Sequence, residues 1–203
     1  MIPVGWLRRG DPDRTVVPKR AMRPLRETWL NSVAGSTLFS ARVRTRLLRL
    51  GGIDIGASGI FPHVVFVSGH DVKIHDHVFV NTGVLFDAAA RIELHTGVQV
   101  GPRAQFLTST HDVGPSEWRA GYSRYEPILV GEGTWIGAGA TILAGVTVGR
   151  GCVIGAGAVV TRDCLPNGLY TGVPAVRKRD LPDGAGEPDG WLEPERAAPG
   201  TSG

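Results

Sequence analysis

The middle of this chain repeats every six residues, and that period restricts the fold more than any other feature. Stepping by six from Val130 gives Val130, Ile136, Ile142, Val148, Ile154 and Val160, an unbroken aliphatic column. The residues that follow the first five are Gly131, Gly137, Leu143, Gly149 and Gly155, and the fourth residues after them are Thr134, Ala140, Val146, Cys152 and Ala158. An amphipathic helix repeats at 3.6 residues and an alternating strand at two, so neither yields a strict six. One short strand per hexad with a turn between does. Three such hexads close a triangular coil, and coils stack so that each buries the open end of its neighbour. The step recurs upstream as Ile55, Phe61, Val67, then Ile74, Val80, Phe86, then Leu94, Val100, Phe106, with phase breaks near 68–73 and 87–93 that read as bulges or short loops. The predicted fold is all-β, a parallel β-helix over residues 53–179.

The period also accounts for the composition. Glycine contributes 29 of 203 residues and aromatics only 7%. Turn conformations that a side chain would obstruct call for the first, and a narrow interior leaves little room for many rings. The glycines have no three-residue period, which excludes collagen. There is no run of eighteen apolar residues, and the start, MIPVGWLRRGDPDR, lacks the apolar core of a signal sequence, so a soluble, cytoplasmic protein is expected. Cys152 and Cys164 stand twelve apart with no CxxC partner and read as small packing residues.

The net charge of +3 is unevenly distributed. Residues 1–50 hold eleven Lys/Arg against three Asp/Glu, residues 51–175 hold seven against ten, and residues 176–203 hold four against six. A basic N-terminal arm reads first as a solvated surface, with peripheral contact to an anionic membrane as the sharper alternative. No zinc-finger or RNP-type signature points to nucleic acid.

Two segments flank the repeat and one interrupts it. Residues 1–52 read as a basic arm and a helical cap: Leu25, Trp29 and Val33 share a helical stripe, and Leu38 to Leu50 ends at Gly51-Gly52. Residues 180–203, rich in Pro, Gly and acid, read as a mobile tail. The hexads stop over residues 107–127, LTSTHDVGPSEWRAGYSRYEP, a long protruding loop of the kind that usually carries function.

The hexads, the loop motif Thr108-Ser-Thr-His-Asp112, the run Gly133-Thr-Trp-Ile-Gly-Ala-Gly-Ala140 and the stretch from Ala156-Gly-Ala-Val-Val-Thr161 to Gly172-Val-Pro174 resemble the hexapeptide-repeat acyltransferases, in particular the maltose/galactoside and exopolysaccharide acetyltransferases. The resemblance implies a left-handed β-helix, a homotrimer with sites between subunits, and acetyl-CoA as acyl donor. It casts His111 as general base, a role suited to an imidazole near neutral pH. Asn81, thirty residues earlier, matches an acceptor-binding asparagine, and Asp87 resembles an acidic acceptor position. Arg119, Ser123 and Tyr125 in the loop are candidate acceptor contacts. On the donor side the resemblance sets Trp135 beside the pantetheine channel, lets the thioester approach the Gly137-Ala138 backbone closely and makes Ala156 a pantetheine backbone contact; Thr161 and Arg162 match the family's threonine-lysine pair, and Arg177 and Arg179, with Lys178 between, lie where the family holds the CoA phosphates. Several relatives carry serine where Ala138 stands, so here a backbone N–H would hold the oxyanion.

The coil histidines His63, His70, His75, His77 and His95 read as packing and surface groups. His70 and His75 invite comparison with the zinc site of γ-class carbonic anhydrases, but the third ligand of that pattern is missing, and no metal is expected. The function implied is O-acetylation of a sugar, glycoside or glycosylated natural product. N-acetylation of an amino sugar or other amine and a non-catalytic scaffold are the competing readings.

Overall fold

A computed structural model describes residues 23–68 and 71–184; the arm before residue 23, His70 and the tail beyond residue 184 lie outside the described residues. The repeat folds into the triangular β-solenoid that the period predicts, consistent with a left-handed β-helix. Its first face stacks Asp54–Ile55, Val72–Ile74, Ile92–Leu94, Ile128–Val130 and Thr147–Val148, all parallel. The second runs from Gly59–Ile60 through Phe79–Val80, Gln99–Val100, Trp135–Ile136 and Val153–Ile154 to Gly168–Thr171, on which Val176–Asp180 folds back antiparallel. The third stacks Val65–Val67, Leu85–Asp87, Gln105–Leu107, Thr141–Ile142 and Val159–Val160.

The column from Val130 to Val160 is buried throughout, as are Thr134, Ala140, Val146, Cys152 and Ala158. Glycine serves two separate ends in this stack. At Gly139 and Gly157, φ is +66° and +68°, a conformation that favours glycine at the corner. At Gly137 an added Cβ would meet the Ala156 nitrogen and the Ile154 oxygen at 2.6 Å, so the successive rungs approach too closely for a side chain. Burial pushes both thiols up, that of Cys164 to about 12.

The upstream register differs from the six-residue step at one point. Phe61 is 41% exposed and Val67 half-buried, whereas Ile60 and Phe66 are fully buried. The first corner of the first coil is one residue shorter than its counterparts, so Ile55 is followed inside by Ile60, while Ile74 is followed by Val80. Later phases hold. Nor does the interior exclude rings: Phe66, Phe86 and Phe106 stack on successive coils, with centroids 5.3 and 5.1 Å apart and planes within 12° and 6°. Stacking at rung spacing lets one column carry three phenyl groups without widening the coil.

The cap forms from Arg23–Thr28 (α1), a π-helical turn Trp29–Ala34 and Ala41–Leu50 (α2), the last N-capped by Ser40. The π-turn changes which face is buried: Leu30 and Ala34 pack inward while Leu25 is 72% exposed, in place of the predicted Leu25-Trp29-Val33 stripe. The cap supplies what a preceding coil would. Arg49 donates to Ile55 O (2.7 Å), buried Arg44 to Ile60 O (3.1 Å), and Asn31 exchanges two bonds with the Phe66 backbone (2.9 Å each), so carbonyls on all three faces of the first coil are satisfied. No described helix is long and apolar enough to cross a membrane.

Candidate active site

The chain leaves the solenoid at the corner between the third and first faces. In the first two coils that corner holds the phase breaks; in the third it extends into a β-hairpin, Ser109–Val113 against Ala120–Tyr125. The predicted loop is thus an ordered two-stranded arm. Its root is fixed by Thr108, fully buried, whose hydroxyl donates to Asp87 O (2.6 Å) and accepts from Ala90 N (3.0 Å), while Glu126 N donates to Thr108 O (3.0 Å).

His111 is exposed on this hairpin opposite Ser123, beside a register shift between His111 and Val113. Its Nδ1 lies 3.1 Å from Gly121 O. A carbonyl can only accept, so Nδ1 carries the proton and Nε2 of the neutral ring presents a lone pair. The other predicted hairpin contacts divide. Ser123 and Tyr125 are exposed, whereas Arg119 donates to Gly114 O (3.2 Å) and helps close the turn. Arg124 bridges Asp112 (3.3 Å) and Glu126, which stiffens the arm. Asp87 sits one rung from the hairpin root, and its Oδ1 is buried with no hydrogen-bond partner among the described residues.

A groove of about 570 Å³ lies along the second face and its corner with the third. Phe79, Asn81, Gln99, Pro102, Trp135 and Ala138 line it, so Asn81 and two predicted donor-side residues meet in one place. Asn81 Oδ1 accepts from Thr82 N (2.8 Å), so the amide N–H groups and the second lone pair of Oδ1 are what this side chain offers a ligand. The Ala138 backbone N–H has no acceptor among the described residues. Gly137 and Ala156 occupy the same corner, Ala156 one coil further on.

Thr161 and Arg162 fall on a different corner, after Val159–Val160, and are exposed. Arg179 is also exposed, in the strand that folds back. Arg177 is not available in the way expected. Its five N–H groups serve Asp180 (2.8 Å), Leu165 O (2.9 Å), the Tyr170 hydroxyl (2.9 Å), Pro166 O (3.0 Å) and Asn167 O (3.1 Å), tying down the final turn. The Tyr170 and Asp180 bonds together raise its pKa further.

In one chain the His111 hairpin and the Asn81 groove lie on opposite sides of the third face, and no hairpin residue lines the groove. Phe79, Gln99 and Pro102, absent from the predicted set, belong to the groove because they stack on neighbouring coils beside Asn81 and Trp135. Their signal in the sequence is the coil length alone.

Residues 127–162 match the family model described as bacterial transferase hexapeptide (six repeats). A hexapeptide-repeat acetyltransferase from Vibrio cholerae, solved in complex with acetyl coenzyme A, is 30% identical and superposes with a TM-score of 0.72 over 80% of this chain and 88% of its own. The chain belongs to the hexapeptide-repeat acyltransferase family. A maltose O-acetyltransferase from Clostridium difficile is 26% identical, with a TM-score of 0.72 over 79% of this chain and 87% of that one. The sophorolipid acetyltransferase of Starmerella bombicola is 46% identical over 116 residues, 57% of this chain and 44% of its own length. The chain spans between 47% and 60% of the length of the first curated relatives it matches.

Proposed function

We propose that this protein is an acetyl-CoA-dependent O-acetyltransferase that acts on a hydroxyl of a sugar, glycoside or glycosylated natural product, as a homotrimer in which one subunit's hairpin completes a neighbour's groove. The observation that carries the reading is the His111 Nδ1–H bond to Gly121 O, which fixes the tautomer with Nε2 as base. A hydroxyl must lose its proton as it attacks the thioester carbonyl, and Nε2 accepts that proton directly. No acyl-enzyme is formed. The Ala138 N–H, without an acceptor among the described residues, is assigned to the oxyanion, in keeping with the missing serine hydroxyl. Acetyl-CoA, when bound, supplies the activated acyl group. Trp135 and the Gly137-Ala138 backbone would flank its pantetheine arm, with Ala156 one coil further along the same corner, while Thr161 and Arg162 on the next corner and Arg179 on the strand that folds back would meet the rest of the CoA. Asn81 and Asp87 are assigned to the acceptor, as an amide donor and a carboxylate with an unmet acceptor oxygen.

The separation of hairpin and groove within one chain supports the trimeric arrangement. The testing experiment is a mass-shift screen of saccharide, glycoside and amino-sugar acceptors with acetyl-CoA. A gain of one acetyl on alcohols supports the reading; turnover confined to amines replaces it with N-acetylation, and absence of acetyl-CoA binding by calorimetry replaces it with a scaffold.

A further inference from the structure

The corner between the first and second faces carries a column of one residue per coil: Gly56, His75, His95, Gly131 and Gly149. Glycine satisfies the fold at this position, and histidine replaces it at two adjacent rungs only. The rungs are fixed by His75 N to Leu94 O and His95 N to Val130 O, both 2.9 Å. The two imidazoles lie parallel, with centroids 4.9 Å apart and planes 8° apart. Glu93, pointing out from the first face, places Oε1 2.7 Å from His75 Nε2, and these side chains are 17% and 30% exposed. One donor atom from each of His75, Glu93 and His95 lies within 4.8 Å of the other two.

We propose that His75, Glu93 and His95 form a binding site for a divalent transition metal of the zinc class, a clasp across the second and third coils. Two imidazole nitrogens and one carboxylate oxygen are a donor set that such ions favour, and three protein ligands leave a position open to solvent. Zinc sits about 2.1 Å from such ligands, which spaces tetrahedral donors roughly 3.4 Å apart. Reaching that spacing requires the two parallel rings to tilt toward one point, a movement open to side chains that are partly exposed. Binding replaces the His75–Glu93 hydrogen bond: the Nε2 proton leaves for solvent or moves to Nδ1, and the lone pair turns to the ion. The competing cation is Lys73, whose Nζ lies 4.0 Å from Glu93 Oε1 and is free to swing outward.

The site lies on a different corner from the hairpin, and the proposal stands independently of the acyl-transfer reading. The test uses full-length, tag-free protein stripped with chelator, titrated with Zn²⁺ by calorimetry and against a chromophoric chelator, with Co²⁺ as a spectroscopic probe. One zinc per chain is expected, with visible cobalt bands of a tetrahedral site. His95→Ala and Glu93→Gln should each weaken binding by about tenfold or more, with circular dichroism in chelator matching the parent. Lys73→Ala, which removes no ligand, should tighten it. No stoichiometric uptake, or uptake equal to the parent's in both ligand variants, overturns the proposal, and a Lys73→Ala variant that binds more weakly does the same.

Discussion

The Nδ1–H of His111 donates to Gly121 O across the hairpin at 3.1 Å, so the orientation of this imidazole is set by a residue ten places away on the opposite strand. Among the described residues the imidazole is held by the arm alone. Replacing it should therefore leave the groove intact: His111→Ala is expected to lower kcat by about 10²- to 10⁴-fold toward hydroxyl acceptors, with KM for acetyl-CoA nearly unchanged. Steady-state kinetics on an alcohol and an amine in parallel checks this, since a neutral amine needs less help from a base and should lose less. An unchanged rate on both would remove His111 from the reaction.

Asp87 offers a second test, because its buried Oδ1 has no partner among the described residues while its backbone oxygen anchors Thr108. Asp87→Asn keeps the backbone anchor and the side-chain shape but removes the charge. We expect the acceptor KM to rise by about tenfold to a hundredfold, the range of a charged hydrogen bond, with KM for acetyl-CoA unaltered. A rise in both constants would mean that the hairpin root had moved.

Arg177 and Arg179 sit two residues apart and should behave oppositely. Arg177 closes the last turn through Leu165, Pro166 and Asn167, so Arg177→Ala should lower the melting temperature and leave CoA affinity near the parent value. Arg179 is exposed, and Arg179→Ala should weaken CoA binding, more at low salt than at high, without a change in melting. Differential scanning fluorimetry beside CoA titration separates the two, and the reverse pattern would refute the assignment.

The stacked phenyl column provides a stability test away from the site. Phe86 lies between Phe66 and Phe106 with no exposed surface, and its removal opens a void that neighbouring rungs, fixed by hydrogen bonds on both sides, cannot close. Phe86→Ala should cost about 3–5 kcal/mol, read by denaturant unfolding. A loss below about 1 kcal/mol would show that the coil collapses around the gap.

Much of the fold is legible in the sequence, and the exceptions have specific causes. The hexads from Val130 to Val160 required only periodicity, because every interior position is small or aliphatic and every rung repeats the same backbone. Phe61 falls outside the buried column because one corner in the first coil is a residue short, a local deletion that periodicity carries forward until the next phase break. The stripe through Leu25 does not form because a π-turn changes the angular step of a helix without altering the residues that compose it. A basic run after the last coil reads the same in sequence whether its donors face solvent or, as those of Arg177 do, a ring of carbonyls.

His75 and His95 show the division most clearly. Their identities, and that of Glu93 nearby, are written in the sequence, as is the fact that the stretch containing them repeats. That they share one corner follows only when the coil length there is known to be twenty residues, longer than the eighteen of the later coils. The amino-acid order determined the strand-per-hexad fold, the family and the presence of a histidine on the segment that interrupts the hexads, because those depend on local spacing and residue type. The tertiary structure decided which side chains face one another across coils and strands, Gly121 for His111 and Glu93 for His75, because such pairings depend on the summed length of every corner between them.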